Sequence, residues 1–204
     1  MIYRTRTYIA ADWTCDKNAV DQLTKWNNSK HWGLTFGDAH ELSQCLSDDT
    51  NNCNIKKNCS QNLDHSKFFI LIVGDKTKSL RGGYCVYCKA YSNCQYTYKT
   101  NKSYVEYECD YAIRNNLPII VLYNSTTVDK SKCIDSVVNV AKAHARMIMR
   151  GTDNKLYWDY QSVKDAFDKL ASLYDELYKV CLFTILYLAW IYSYCNRTSS
   201  GCSI

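Results

Sequence analysis

Apolar positions along this chain fall into short continuous runs, separated by stretches in which they recur every three or four residues. The run "TYIAAD" (7–12), closed by an acid, predicts a buried first strand. In "DKNAVDQLTKWNNS" (16–29), Ala19, Val20, Leu23 and Trp26 lie at helical spacing, and Asn27-Asn28-Ser29 ends the helix. "WGLTFGD" (32–38) reads as a second short strand, and the polar residues 39–52 as loop. Ile55, Cys59 and Leu63, at four-residue steps, predict a helix over 55–66. "KFFILIVGD" (67–75) is the strongest strand, and its unbroken apolar run marks a central strand covered on both faces.

A long polar excursion follows (76–102), and a loop of that length inside a compact domain is usually functional or locally structured. A helix is predicted over 103–116 and another buried strand over "LPIIVLYNS" (117–125), with Pro118 near its start, where a missing N–H is tolerated. "HARMIMR" and "KLYWDY" flank Gly151-Thr152-Asp153-Asn154, a hairpin signal. Residues 162–177 form an amphipathic helix through Val163, Ala166, Phe167, Leu170, Leu173, Tyr174 and Leu177. Apolar strands alternating with helices give an α/β fold, a parallel sheet with helices on both faces. Ligands of such sheets bind beyond the carboxyl ends of the strands. Those ends carry Asp12-Trp13, Phe36-Gly37-Asp38, Gly74-Asp75 and Tyr123-Asn124. No G-x-G-x-x-G or Walker A sequence is present, so a standard dinucleotide or P-loop site is not supported.

The helix over 103–116 poses a question of its own, because Glu106, Glu108 and Asp110 crowd into five positions. At about 100° per residue, Val105, Cys109, Ala112 and Ile113 share the buried face. Glu106 lies on a border with Lys102 and Asp110 four residues to either side, and Asp110 is four before Arg114: a solvated ladder of charge pairs. Glu108 lies on the other border, between Tyr104 and Tyr111, with no basic residue at those spacings. A carboxylate among rings at the edge of a core has a raised pKa. Spacing alone also accommodates Glu108 as one more exposed acid of an amphipathic helix.

Composition narrows the class. Apolar residues at 47% and charged residues at 22% are ordinary globular values, and 204 residues make one domain, or one with an appendage. A net charge of +5 without a Lys/Arg-rich block does not imply nucleic acid. Twelve cysteines would fit a secreted disulfide scaffold, but the opening "MIYRTRTYIAADW" lacks an apolar run of signal-peptide length. Most are therefore expected to be reduced thiols filling small buried sites of a cytoplasmic protein. Cys85, Cys88 and Cys94 have the spacing of a partial zinc knuckle, lacking an evident fourth ligand, which Cys109, Cys59 or a histidine would supply. Loop thiols and a disulfide or redox pair are the competing readings. His31, His40, His65 and His144 have no metal-binding spacing and read as structural. "VCLFTILYLAWIYSYC" (180–195) carries no charge. It reads as a membrane anchor, a self-association helix or a helix folded back on the domain.

"NLDHSKFFILIVGDKT" (62–77) resembles the helix-to-central-strand signature of a TIR-like family that includes the TIR component of the Thoeris antiphage defence system. "SYVEYECDYAI" resembles the TIR pattern of an aromatic, a small residue, two variable positions and a glutamate, here Tyr104 through Glu108. Tyr104 stands where tryptophan is usual and Val105 where cysteine is common. The resemblance covers about 5–178 and leaves the tail, 179–204, outside.

The resemblance implies a flavodoxin-like three-layer sandwich with sheet order 2-1-3-4-5, to which the tail would add an apolar helix. It implies an enzyme that takes NAD as substrate, requires no cofactor, and cleaves the nicotinamide–ribose bond as a glycohydrolase or cyclase to make a nucleotide signal. Glu108 becomes its catalytic carboxylate. Trp13 or Phe36 would stack on a ring, with core packing the competing reading for each, and Asp12 or Asp38 would meet ribose. Gly74, Asp75 and Tyr104 would complete the substrate-binding set, and a zinc ion at the cysteine cluster would be structural. The alternative is a non-catalytic interaction module that works by self-association or by assembly with another TIR-like or effector protein. A third reading is a glutamate-using nucleoside transferase on the same fold.

Overall fold

The computed structural model describes residues 6–29, 41–43, 52–81 and 102–172. Five parallel strands form the main sheet in the order β2-β1-β3-β4-β5: β1 (Arg6–Ala10), β2 (Glu41–Ser43), β3 (Ser66–Val73), β4 (Ile119–Tyr123) and β5 (Ala143–Arg146). Helix α1 (Lys17–Asn27) follows β1, α2 (Asn52–Asp64) precedes β3, and α3 (Tyr104–Arg114) precedes β4. The four-residue α4 (Asp135–Val138) leads into β5, and α5 is described over 160–172. This is the α/β architecture expected of alternating apolar strands and helices.

Side-chain alternation along each strand splits the core into two layers. Ile9, Ile70, Ile72, Ile120 and Leu122 face α1 and α5, meeting Leu23, Trp26, Val163 and Phe167. Tyr8, Phe69, Leu71, Val121 and Tyr123 face the other way, against Leu63, Val105, Cys109 and Val137 of α2, α3 and α4. β3 is buried on both faces, as its unbroken apolar run requires.

Three expectations are corrected. A sheet strand lies at Glu41–Ser43, inside the stretch read as loop. Among the described residues it is an edge strand, paired with β1, and three residues give hydropathy no period to display. The first strand ends at Ala10 rather than at Asp12, and the segment 32–38 lies outside the described residues. The hairpin about Gly151–Asn154 forms as expected, but only the second half of "HARMIMR" is its arm. The first half, β5, runs parallel to β4, and Ile148–Arg150 (β6) pairs antiparallel with Leu156–Trp158 (β7). Met147, fully buried, is the pivot: its N–H donates to the Tyr123 carbonyl at 2.8 Å, and its carbonyl accepts from Asp159 N–H at 2.8 Å.

The ends of α3 are set by the sequence. Ser103 Oγ accepts from Glu106 N–H at 3.1 Å, and Glu106 Oε2 accepts from Ser103 N–H at 2.8 Å, which closes a capping box. At the other end Asn116 takes a left-handed φ of 53°, and the N–H of Leu117 reaches back to Ala112 O at 2.9 Å, a Schellman closure with asparagine in place of glycine. No helix among the described residues is long and apolar enough to cross a membrane, and 180–195 lies outside them.

Candidate functional site

A cavity of about 320 Å³ opens at the carboxyl end of β1. Asp12, Trp13 and Thr14, which leave β1, form one wall, and Ile55 and Cys59 of α2 form another. The first turns of α3 contribute Ser103, Tyr104, Val105 and Glu108, and Arg81 closes the rim. The capping box fixes where α3 begins and therefore which of its side chains face this space.

Glu108 is only 6% exposed. Tyr8 of β1 donates its hydroxyl to Glu108 Oε1 at 2.6 Å. Burial pushes the Glu108 carboxyl up to about 8, and the Tyr8 hydrogen bond works against that shift by favouring the charged form. Tyr8 is itself fully buried, its ring stacked on Phe69 with centroids 5.8 Å apart, so the hydroxyl is held in place. The cavity thus joins a carboxyl group of raised pKa to an exposed aromatic, Trp13, at 36% exposure.

The tyrosines expected around Glu108 are used differently. Tyr104 lines the cavity, but Tyr111 donates to Asp64 at 2.6 Å, and its own pKa rises to about 12 through burial and that acid. The ring hydroxyl that meets Glu108 comes from β1, a hundred residues away. Glu106 serves the helix cap instead of the charge ladder. Lys102 pairs with Asp110, whereas Arg114 lies over the Tyr111 ring at 5.6 Å. Lys56 of α2, 2% exposed, has its Nζ 5.8 Å from the Tyr104 ring centroid and 5.3 Å from that of Tyr107, and donates to Lys102 O at 3.2 Å.

Of the residues expected at the site, Asp12, Trp13, Tyr104 and Glu108 come together around the cavity. Gly74 and Asp75 do not join them. Gly74 lies against the carboxylate of Asp16, where a Cβ would stand 2.1 Å from Oδ1. Asp75 is exposed and pairs with Lys132 at 2.6 Å, which holds its carboxyl below the usual range. Asp16 occupies the N-cap position of α1, yet its side chain does not cap. It accepts from Asn124 Nδ2 at 2.8 Å, and burial raises its pKa against that bond. Phe36, Asp38, Cys85, Cys88 and Cys94 lie outside the described residues.

Among the described residues no group of three or more metal-binding side chains forms. Cys109 and Cys133 are buried free thiols whose pKa values burial drives upward, and Cys15 is free and exposed. Cys59, by contrast, is disulfide-bonded. His144 is structural: its ring lies between the Tyr123 hydroxyl at 3.0 Å and Val138 O at 3.1 Å.

The described residues thus form a parallel α/β sheet with an acid-bearing cleft at the carboxyl end of β1. Residues 8–82 match the family model described as Thoeris protein ThsB, TIR-like domain, which bears out the TIR-like resemblance. Glu108 lies beyond the matched stretch. No curated protein matches. Among solved structures, a 3-dehydroquinate dehydratase-like protein from Bifidobacterium longum is similar at 16% identity, over 83% of this chain and 97% of that one, with a TM-score of 0.37.

Proposed function

We propose that this chain is a cytoplasmic TIR-like enzyme of flavodoxin-like fold that cleaves the nicotinamide–ribose bond of NAD. The observation that carries the reading is the buried Glu108, bonded to Tyr8, in the wall of a cavity that also holds Trp13. In the reaction the bond between ribose C1′ and the nicotinamide nitrogen breaks, and its electron pair leaves with nicotinamide. The oxocarbenium-like ribose that remains is stabilised by a carboxylate. Water then adds at C1′ and passes a proton to Glu108, giving ADP-ribose, or an internal nucleophile closes a ring instead. A carboxyl of raised pKa suits this sequence, because the cationic nicotinamide ring of the substrate favours ionisation of Glu108 on arrival. Trp13 offers a stacking surface for that ring and Asp12 a partner for ribose hydroxyls.

A second reading has its own support. The short bond from Tyr8 satisfies Glu108 within the fold, as a purely structural buried acid requires, and the chain would then act as an assembly module with its own kind or an effector. Incubation with NAD separates the two. Wild-type protein, assayed at high concentration, releases nicotinamide, Glu108→Gln abolishes release and Glu106→Gln retains it. Equal loss in both variants overturns the assignment. Metal analysis, giving one equivalent of zinc or none, decides the structural zinc proposed at Cys85, Cys88 and Cys94.

A further inference from the structure

A second groove of about 270 Å³ adjoins the start of α3, lined by Lys78, Lys102, Glu106, Asp110 and Asp135, with Arg81 shared between it and the Glu108 cavity. Its charges are nearly all spoken for. Lys78 pairs with Asp135 at 2.6 Å, Lys102 pairs with Asp110, and Glu106 is held in the capping box. Among the described residues Arg81 has no carboxylate partner. Its Nη1 donates to two backbone carbonyls, Lys78 O at 3.0 Å and Leu80 O at 2.6 Å. Both bonds use Nη1, and among the described residues the Nε and Nη2 edge, the edge that receives a phosphate through two parallel hydrogen bonds, makes none. At the α3 N-terminus the N–H groups of Ser103 and Glu106 are engaged by the capping box.

We propose that Arg81 is a phosphate-anchoring residue that joins the two spaces into one extended site. The ligand is a phosphate-bearing nucleotide, with its sugar and leaving group beside Glu108 and its far end in the second groove. A nucleoside without phosphate fills only the first space. The net charge of the paired groove is close to zero, so the anion is recognised at Arg81 and not by a general positive field. This inference rests on the nucleotide reading of the Glu108 cavity, but it concerns binding and not bond cleavage.

Titration calorimetry with ADP-ribose and with adenosine, on the full chain, tests it. Arg81→Ala weakens ADP-ribose binding roughly ten- to hundredfold and leaves adenosine binding unchanged. Arg81→Lys restores only part of the loss, because an ammonium cannot reproduce the two-point contact. Arg81 is exposed, so both variants keep the wild-type melting temperature. Unchanged ADP-ribose affinity in Arg81→Ala, equal loss for adenosine, or no ADP-ribose binding by wild type overturns the proposal. A wild-type protein that binds ADP-ribose through Arg81 yet releases no nicotinamide from NAD leaves this anchor standing and removes the catalytic reading alone.

Discussion

Tyr8 and Glu108, a hundred residues apart in sequence, share a 2.6 Å hydrogen bond that joins the first strand to α3 at the wall of the cavity. The bond favours the carboxylate, whereas burial favours the acid, and burial wins, at about 8. Carbon-13 NMR of the Glu108 carboxyl therefore gives a midpoint near 8, and Tyr8→Phe moves it higher by removing the interaction that favours the charge. If catalysis needs the carboxylate, nicotinamide release by free enzyme rises with pH through the same midpoint, and a flat profile from pH 6 to 9 counts against that role.

The same shift sets a stability slope. Between the unfolded value of 4.5 and the folded value of about 8, the native state binds more protons than the unfolded chain. This group's contribution to stability therefore falls as pH rises through that window. Glu108→Gln removes the slope. Urea midpoints of variant and wild type should diverge in the variant's favour as pH rises from about 5 to about 8 and level off above that, and parallel curves would refute the buried titration.

Glu106 has a mechanical task. Ser103→Ala or Glu106→Ala opens the capping box and costs about 1 kcal/mol, read as a lower urea midpoint. Because this box fixes the first turn of α3, the cost should be accompanied by weaker ligand binding, with Glu106→Gln mildest, as its amide still accepts from Ser103.

Gly74 leaves no room for a methyl group, since Asp16 Oδ1 would lie 2.1 Å from it. Gly74→Ala is expected to cost about 1–3 kcal/mol. Asp16→Ser in the same chain should recover part of that loss. Equal costs in both backgrounds would show that the carboxylate is not the obstacle.

Lys56 is buried by its stem as well as by its charge, so Lys56→Ala should destabilise by about 2–4 kcal/mol through lost packing on Tyr104 and Tyr107. Thermal unfolding measures this, and a change below about 0.5 kcal/mol would mean that α2 and α3 do not rely on it.

Legibility followed burial. β3 and β4 were plain in the sequence because both of their faces are covered, and α1 and α3 because one face is. β2 was hidden because a three-residue edge strand shows no period, and the β5–β6 division because one buried residue, Met147, redirects an apolar run that hydropathy reads as continuous. α4 is a single turn, too short for periodicity. At the site, Glu108 was distinguishable by the absence of a cation at helical spacing. Its true partner was not, because helical spacing says nothing of contacts made by a strand. Arg81 gave no signal, since it lies outside any periodic element and its meaning comes from the two spaces it separates.

The stretch resembling ThsB ends at residue 82 and thus contains Tyr8, Asp12, Trp13 and Arg81 but not Glu108. Tyr104, which also lines the cavity, lies with Glu108 in the later part of the sequence. Neither stretch of the sequence builds the cavity by itself, so a change that loosens the seat of α3 against β1 would disturb the grip on a ligand and the chemistry together.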